Sequence, residues 1–231
     1  MPGLGLGLGF MNQGGGGCSG AGQSFNGTDQ YAYVADNGAL DIKTAVDVGA
    51  TDFCISCKIN SGDIGSTSKV LGKLVHGNKN GMYGFLQLAD GSLRAYYSTS
   101  IEDNNINDNI MQLVNIEYHC LLRIDLTNSK AYYYIDGVLQ NAGGQSFAGT
   151  FDNLGNAYEF IIGAENNADG SLFYYTFEGI IKDVRIYHKN VVPDLTELMA
   201  GEKLGDEVAW WCLPGLEDIS DNSYDLTGVN L

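Results

Sequence analysis

One run near the C-terminal third constrains this chain more than any other: Phe177-Glu178-Gly179-Ile180-Ile181-Lys182-Asp183-Val184-Arg185-Ile186-Tyr187. It reads as a strand. With period two, Ile180, Lys182, Val184 and Ile186 share one face, and Ile181, Asp183, Arg185 and Tyr187 share the other. A half-charged strand does not ordinarily carry Asp and Arg on a face that also holds Ile and Tyr. The pattern therefore marks a particular place in a β fold.

The rest of the chain agrees with a β fold. Of 231 residues, 44% are hydrophobic, enough for a full core, and only 17% are charged; the 32 Gly and 14 Tyr suit many strands joined by tight turns. Alternation predicts strands at Tyr31–Val34, Thr51–Ile59, Lys69–Leu74, Tyr83–Leu88, Leu93–Ser98, Leu113–Asp125, Lys130–Ile135, Tyr158–Ile162, Tyr174–Tyr187 and Val208–Leu213. Asp90-Gly91 and Asp136-Gly137 are two-residue hairpin signals, with a weaker one at Asp169-Gly170. The Asn- and Asp-rich stretch 100–109 reads as a surface loop. One short helix is expected over 193–200, after Pro193 and before Gly201, with Leu195, Leu198 and Met199 as its apolar stripe.

Residues 1–23 form a zone of their own. Gly-Leu alternation passes into a Gly run, a composition that cannot bury enough apolar area to order itself. The domain division is thus an N-terminal anchoring arm, 1–23, and a β domain, 24–231. In an extended arm Leu4, Leu6, Leu8 and Phe10 face one way, the pattern of a segment docking on a neighbouring polypeptide. The N-terminus lacks the basic and apolar regions of a signal peptide. No apolar run is long enough to span a membrane.

Twelve Lys+Arg against 28 Asp+Glu give a net charge of −16, which argues against nucleic acid and anionic membranes as partners. The five cysteines (Cys18, Cys54, Cys57, Cys120, Cys212) are odd in number and not spaced as a disulfide framework. Cys54 and Cys57 lie three apart in a predicted strand, so their thiols point to opposite faces and cannot share a metal. The expectation is reduced thiols and folding in a cytosol.

Several pieces, in order, resemble the laminin-G-like, concanavalin-A-like jelly-roll family. They are Ser24–Val34, Asp52–Cys57, His119–Arg123, the hairpin Ala131–Val138, Phe160–Ala164 and Phe177–Tyr187. The resemblance covers roughly 24–231. It implies an all-β, two-sheet antiparallel sandwich, frequently sugar-binding. The Trp-rich segment Val208–Leu213 departs from the family order by coming last; it is expected to complete the same sandwich from the other terminus. The resemblance also implies a Ca2+ site near the opening turn and the closing strand, here Asn26, Asp29 and Asp183. The alternative for Asp183 is an ion pair with Arg185 or bonds to backbone N–H groups.

No run of paired carboxylates like that of the related glucanases is present, and His76, His119 and His188 have no nucleophile pattern around them, so no catalytic residue is assigned. Candidate sugar-stacking residues are Tyr96, Tyr133 and Trp211, although most tyrosines of such a sheet belong to packing. The functional expectation is a non-enzymatic subunit on the virion surface of a tailed phage: a head fibre, capsid decoration or tail appendage. It would dock on other virion proteins through its arm, assemble as a homo-oligomer or in a larger particle, and touch host glycans. The alternative is an extracellular bacterial carbohydrate-binding adhesin domain.

Overall fold

The computed structural model describes residue 18 and residues 20–73, 75–76, 83–111, 114–151, 158–167, 175–189, 207–220 and 222–231. The docking residues Leu4, Leu6, Leu8 and Phe10, the helix expected over 193–200 and the turn at Asp169-Gly170 lie outside the described residues.

Strict alternation of apolar side chains builds the first sheet. In β3 (Asp52–Ser61), Phe53, Ile55, Cys57 and Ile59 enter the core, while Cys54, Ser56 and Lys58 face away. Its antiparallel neighbours are β9 (Glu117–Asp125) and β15 (Glu178–Lys189). Beyond β9 come β10 (Lys130–Ile135), β11 (Val138–Leu139) and β12 (Gln145–Ser146). The other edge of β15 is shared by β1 (Gln23–Asn26) and β16 (Glu207–Trp211), one from each end of the chain.

The second sheet runs β17 (Thr227–Val229), β2 (Tyr31–Val34), β13 (Phe160–Ile162), β4 (Ser68–Lys73), β6 (Tyr83–Gln87), β7 (Ser92–Ser98) and β8 (Asp103–Met111). A small parallel pair joins β5 (Val75–His76) to β14 (Asn166–Asn167). The inward faces of the two large sheets meet in one core, where Trp211 stacks on Phe160 at 5.4 Å and Phe53 meets Tyr83 edge-on at 4.8 Å. β16 completes the first sheet from the C-terminal side, as the sequence reading of Val208–Leu213 expects, and β17, not foreseen, adds an edge strand to the second.

The central strands sit at their predicted places; the differences are instructive. The expected loop 100–109 is mostly strand β8. Its Asn-rich composition is tolerated because β8 is an edge strand, and Asn104 and Ile106 still point inward. A helix not foreseen, α1 (Ile42–Asp47), buries Ile42 and Ala45 at one end of the sandwich. It follows a 3-10 turn whose Asn37 side chain caps Ala39 N–H. Both central residues of Asp136-Gly137 have positive φ, 50° and 76°, as a type I′ turn requires, whereas at Asp90-Gly91 only Gly91 does, at 81°.

The cysteine expectation needs correction. Cys18 and Cys212 form a disulfide, with Cα atoms 5.2 Å apart. Their separation of 194 residues hides the pair in sequence; it becomes visible only when β16 returns beside β15. Cys54, Cys57 and Cys120 are free and buried. Cys57 lies in the core and Cys54 on the opposite face, as the strand argument requires.

Candidate functional site

The closing strand β15 does not keep period two. Its register with β3 advances from Lys182↔Lys58 to Arg185↔Ser56, three residues against two. Asp183 adopts φ 52° within this β-bulge, a conformation Asp tolerates better than most residues. The bulge resolves the mixed faces of the sequence pattern. Ile181, Val184 and Ile186 all enter the core, while Lys182, Arg185 and Tyr187 lie in rows on the outer face. The bulge also falls where the partner of β15 changes from β1 to β16.

Asp183 is consequently at the centre of a buried charge cluster. Its Oδ1 accepts from Arg185 Nε at 2.7 Å and from Trp210 Nε1 at 3.0 Å, and Lys58 Nζ is 3.4 Å from Oδ2. The Arg185 guanidinium is 0% exposed and lies 4.1 Å from the Trp210 ring centre.

Asn26 and Asp29 occupy the β1–β2 turn instead. Asn26 Oδ1 accepts from Thr28 N–H and Asp29 N–H, and its Nδ2 donates to Asp29 Oδ1 at 2.8 Å. The register of β1 on β15 pairs Asn26 with Glu178, five residues before Asp183, about 17 Å along a strand. The structure thus keeps Asp183 apart from Asn26 and Asp29, which bond each other in their turn, and Asp183 takes the ion-pair role. Among the described residues no group of three or more His, Cys, Asp or Glu is placed to hold a metal.

Two of the three candidate stacking residues are not available to a ligand. Tyr133 is 0% exposed and stacks near Phe85 at 6.0 Å; Trp211 is 0% exposed and donates from Nε1 to Tyr224 O at 2.7 Å. Of the two tryptophans, Trp210 is the one on the outer face of its sheet, and there the charge cluster covers it. A slip of one residue in strand parity exchanges the two, and sequence carries no signal to fix it.

Tyr96 lies on the outer face of the seven-stranded sheet. Register partners run across that face in one row: Thr227, Tyr33, Ile161, Gly72, Gly84, Tyr96 and Asn105. Gly72 and Gly84 face each other with φ 141° and 155°, and a Cβ on either would strike the backbone of the opposite strand. Gly72, Gly84 and the neighbouring Ile161 are buried in the middle of the row, and aromatic rings lie on both sides. Tyr31 and Tyr33 stand at one side, their rings 6.2 Å apart. Tyr96 stands at the other, four strand spacings away, about 19 Å.

Around Tyr96 the face is polar and accessible. Tyr96 O–H donates to Asp103 Oδ1 at 2.7 Å, and burial together with that carboxylate raises its pKa, so the ring stays neutral. Arg94, two residues back on the same face, donates to Asn105 Oδ1 at 3.5 Å. Along the next row Lys69 pairs with Glu165 at 3.3 Å and lies 5.9 Å from the exposed Tyr175 ring. Half-exposed aromatic rings beside fixed donors and acceptors suit a polyhydroxylated ligand: apolar C–H faces lie on the rings and hydroxyls meet the polar groups. Sequence reading reached Tyr96 but missed Arg94 and Asn105, because the polar edge strand β8 was not legible as a strand.

The two packed antiparallel sheets define a concanavalin-A-like jelly roll. The chain belongs to the concanavalin A-like lectin/glucanases superfamily, which matches residues 26–194. No curated protein matches the chain. Among solved structures it is similar to the CBM40 of the Ruminococcus gnavus IT-sialidase bound to alpha2,3 sialyllactose (TM-score 0.56, 12% identity, 80% of this chain and 99% of that one). It is also similar to a putative carbohydrate binding protein from Bacteroides ovatus (TM-score 0.58, 16% identity, 88% of this chain and 58% of that one). A third is the heptameric SAP-like pentraxin of Limulus polyphemus (TM-score 0.52, 13% identity, 76% and 78%). At these identities the likeness is one of fold. Among the described residues no helix is long and apolar enough to cross a membrane.

Proposed function

We propose that the chain is a non-enzymatic carbohydrate-binding module that holds glycans on the outer face of its seven-stranded sheet. The observation that carries this reading is the grouping of Arg94, Tyr96, Asp103 and Asn105 on one accessible patch at the β7–β8 edge. The guanidinium of Arg94 suits an acidic sugar. The fold supports the reading, since two similar structures carry carbohydrate binding in their descriptions. A glycan array on the full chain tests it. Binding is expected, and Tyr96→Ala and Arg94→Ala should each weaken it by about tenfold, the loss of one stacking or charged contact. Binding that both variants leave intact would refute the placement.

The Cys18–Cys212 disulfide supports an extracellular setting. It removes the reduced-thiol argument for assembly in a cytosol, so the extracellular adhesin reading gains over the virion-surface one. The virion reading keeps the Gly-Leu arm as its support. Deleting residues 1–17 tests it: particle incorporation should be lost while the sandwich still folds.

A further inference from the structure

A second cleft lies on the far side of the molecule, at the edge of the eight-stranded sheet. Its volume is about 420 Å³, within the roughly 300–1,000 Å³ typical of small-molecule sites. The register puts Ser24, Ile180 and Asn60 side by side across β1, β15 and β3, and Asn26 beside Glu178. Asn115 closes the cleft from the loop before β9, where its N–H donates to Ser61 O at 2.9 Å.

The polar groups divide in two. Asn26 is committed to its turn through both amide atoms. By contrast, the side chains of Ser24, Asn60, Asn115 and Glu178 make no hydrogen bond or ion pair among the described residues. Two amides, a hydroxyl and a carboxylate thus line one cleft, Asn60 partly buried and Ser24, Asn115 and Glu178 exposed, and all four are open to a ligand in exchange for water. An amide offers donor and acceptor together, the match for two adjacent hydroxyls, while a carboxylate only accepts. Ile180 supplies an apolar floor, and Val114 and Ile116, the sequence neighbours of Asn115, are exposed. Among the described residues that line the cleft none is basic.

We infer that this cleft is a binding site for a neutral polyhydroxylated ligand, one sugar unit with vicinal hydroxyls, and that Glu178 turns acidic sugars away. The inference rests on the carbohydrate-binding reading but gives the module a second site with opposite charge preference to the Arg94 face. Asn60 and Asn115 hold the hydroxyls, Ile180 meets the C–H face, and Glu178 both accepts from a hydroxyl and repels carboxylate.

The test is a backbone amide NMR titration of the full chain with galactose, mannose and N-acetylglucosamine, against N-acetylneuraminic acid. At least one neutral sugar should shift the amides of residues 60 and 115, saturating on the order of millimolar and binding about tenfold or more tighter than the acid. Asn60→Ala with Asn115→Gly should weaken that binding by about tenfold with little change in melting temperature, because neither side chain is bonded in the fold and glycine accepts the φ of 63° at position 115. Glu178→Gln should narrow the gap between neutral and acidic sugars by about fivefold. Tyr96→Ala should leave all of this unchanged. No shift at the cleft with any neutral sugar, wild-type affinity in the double Asn variant, or tighter binding of the acid would overturn the inference. Shifts confined to the Tyr96 face would sink this site and leave the sheet-face reading standing; shifts confined to the cleft would do the reverse.

Discussion

Removing the carboxylate at position 183 should be among the most damaging single changes this protein can suffer. Asp183→Ala deletes the acceptor of two buried donors, Arg185 Nε at 2.7 Å and Trp210 Nε1 at 3.0 Å, and the counter-charge of Lys58 at 3.4 Å. The guanidinium left behind is 0% exposed. Breaking a buried pair from one side costs about 3–5 kcal/mol, because the remaining charge stays desolvated. Alanine must also hold φ near 52°, which adds roughly 1 kcal/mol. A total of about 4–6 kcal/mol lowers the midpoint of a domain this size by roughly 8–24 °C. Asp183→Asn keeps a carbonyl acceptor and tolerates the left-handed backbone, so it should cost less, about 2 kcal/mol. Urea denaturation with matched slopes measures both. The double variant Asp183→Ala/Arg185→Met should fall short of the sum of its singles by about 1–3 kcal/mol, since the guanidinium that loses Asp183 is itself gone, although Glu207, 3.7 Å from Arg185, then loses that ion pair. A cost below about 1 kcal/mol for Asp183→Ala would refute the view that this cluster is dry and paired.

Three other outcomes follow from the same structure. Gly84→Ala should destabilise by at least about 2 kcal/mol in urea, since its Cβ would meet the backbone of Leu71 and Gly72 and its φ is 155°; a near-neutral result would mean that β4 and β6 separate easily. His119 and His188 are held at pKa values lowered to about 4, chiefly by burial, below the ordinary value of about 6.5. Their folded pKa values are depressed, so the unfolded chain binds more protons: stability should be full above about pH 6.5 and fall toward pH 4, by up to about 1.4 kcal/mol per pH unit per histidine, and less steeply in His119→Gln. Intact mass should show one disulfide and three free thiols, and Cys18→Ser should cost about 2–5 kcal/mol because the bond closes a loop spanning 194 residues; an unchanged midpoint would show that the bond does not constrain the unfolded chain.

What the sequence alone determined is the fold. Period-two alternation in Thr51–Ile59, Leu93–Ser98 and Lys130–Ile135 marked strands, Asp136-Gly137 marked a hairpin, and the resemblance of the ordered motifs to concanavalin-A-like jelly rolls implied two antiparallel sheets. These signals are local: each depends on neighbours within a few residues, so a single chain displays them. The tertiary structure decided everything that depends on parity and return. One extra residue at Asp183 re-sorts the faces of β15 and gives Asp183 to Arg185 and Trp210, while the register that pairs Asn26 with Glu178 keeps Asp183 from Asn26 and Asp29. Parity likewise buries Tyr133 and Trp211 and leaves Tyr96 accessible. Chain return brings Cys18 to Cys212 across 194 residues, and brings Ser24 and Asn60 to either side of Ile180. Neither effect has a local signature: a bulge changes no composition, and a contact between distant strands is fixed only once the sheets have packed and every apolar face has found its partner.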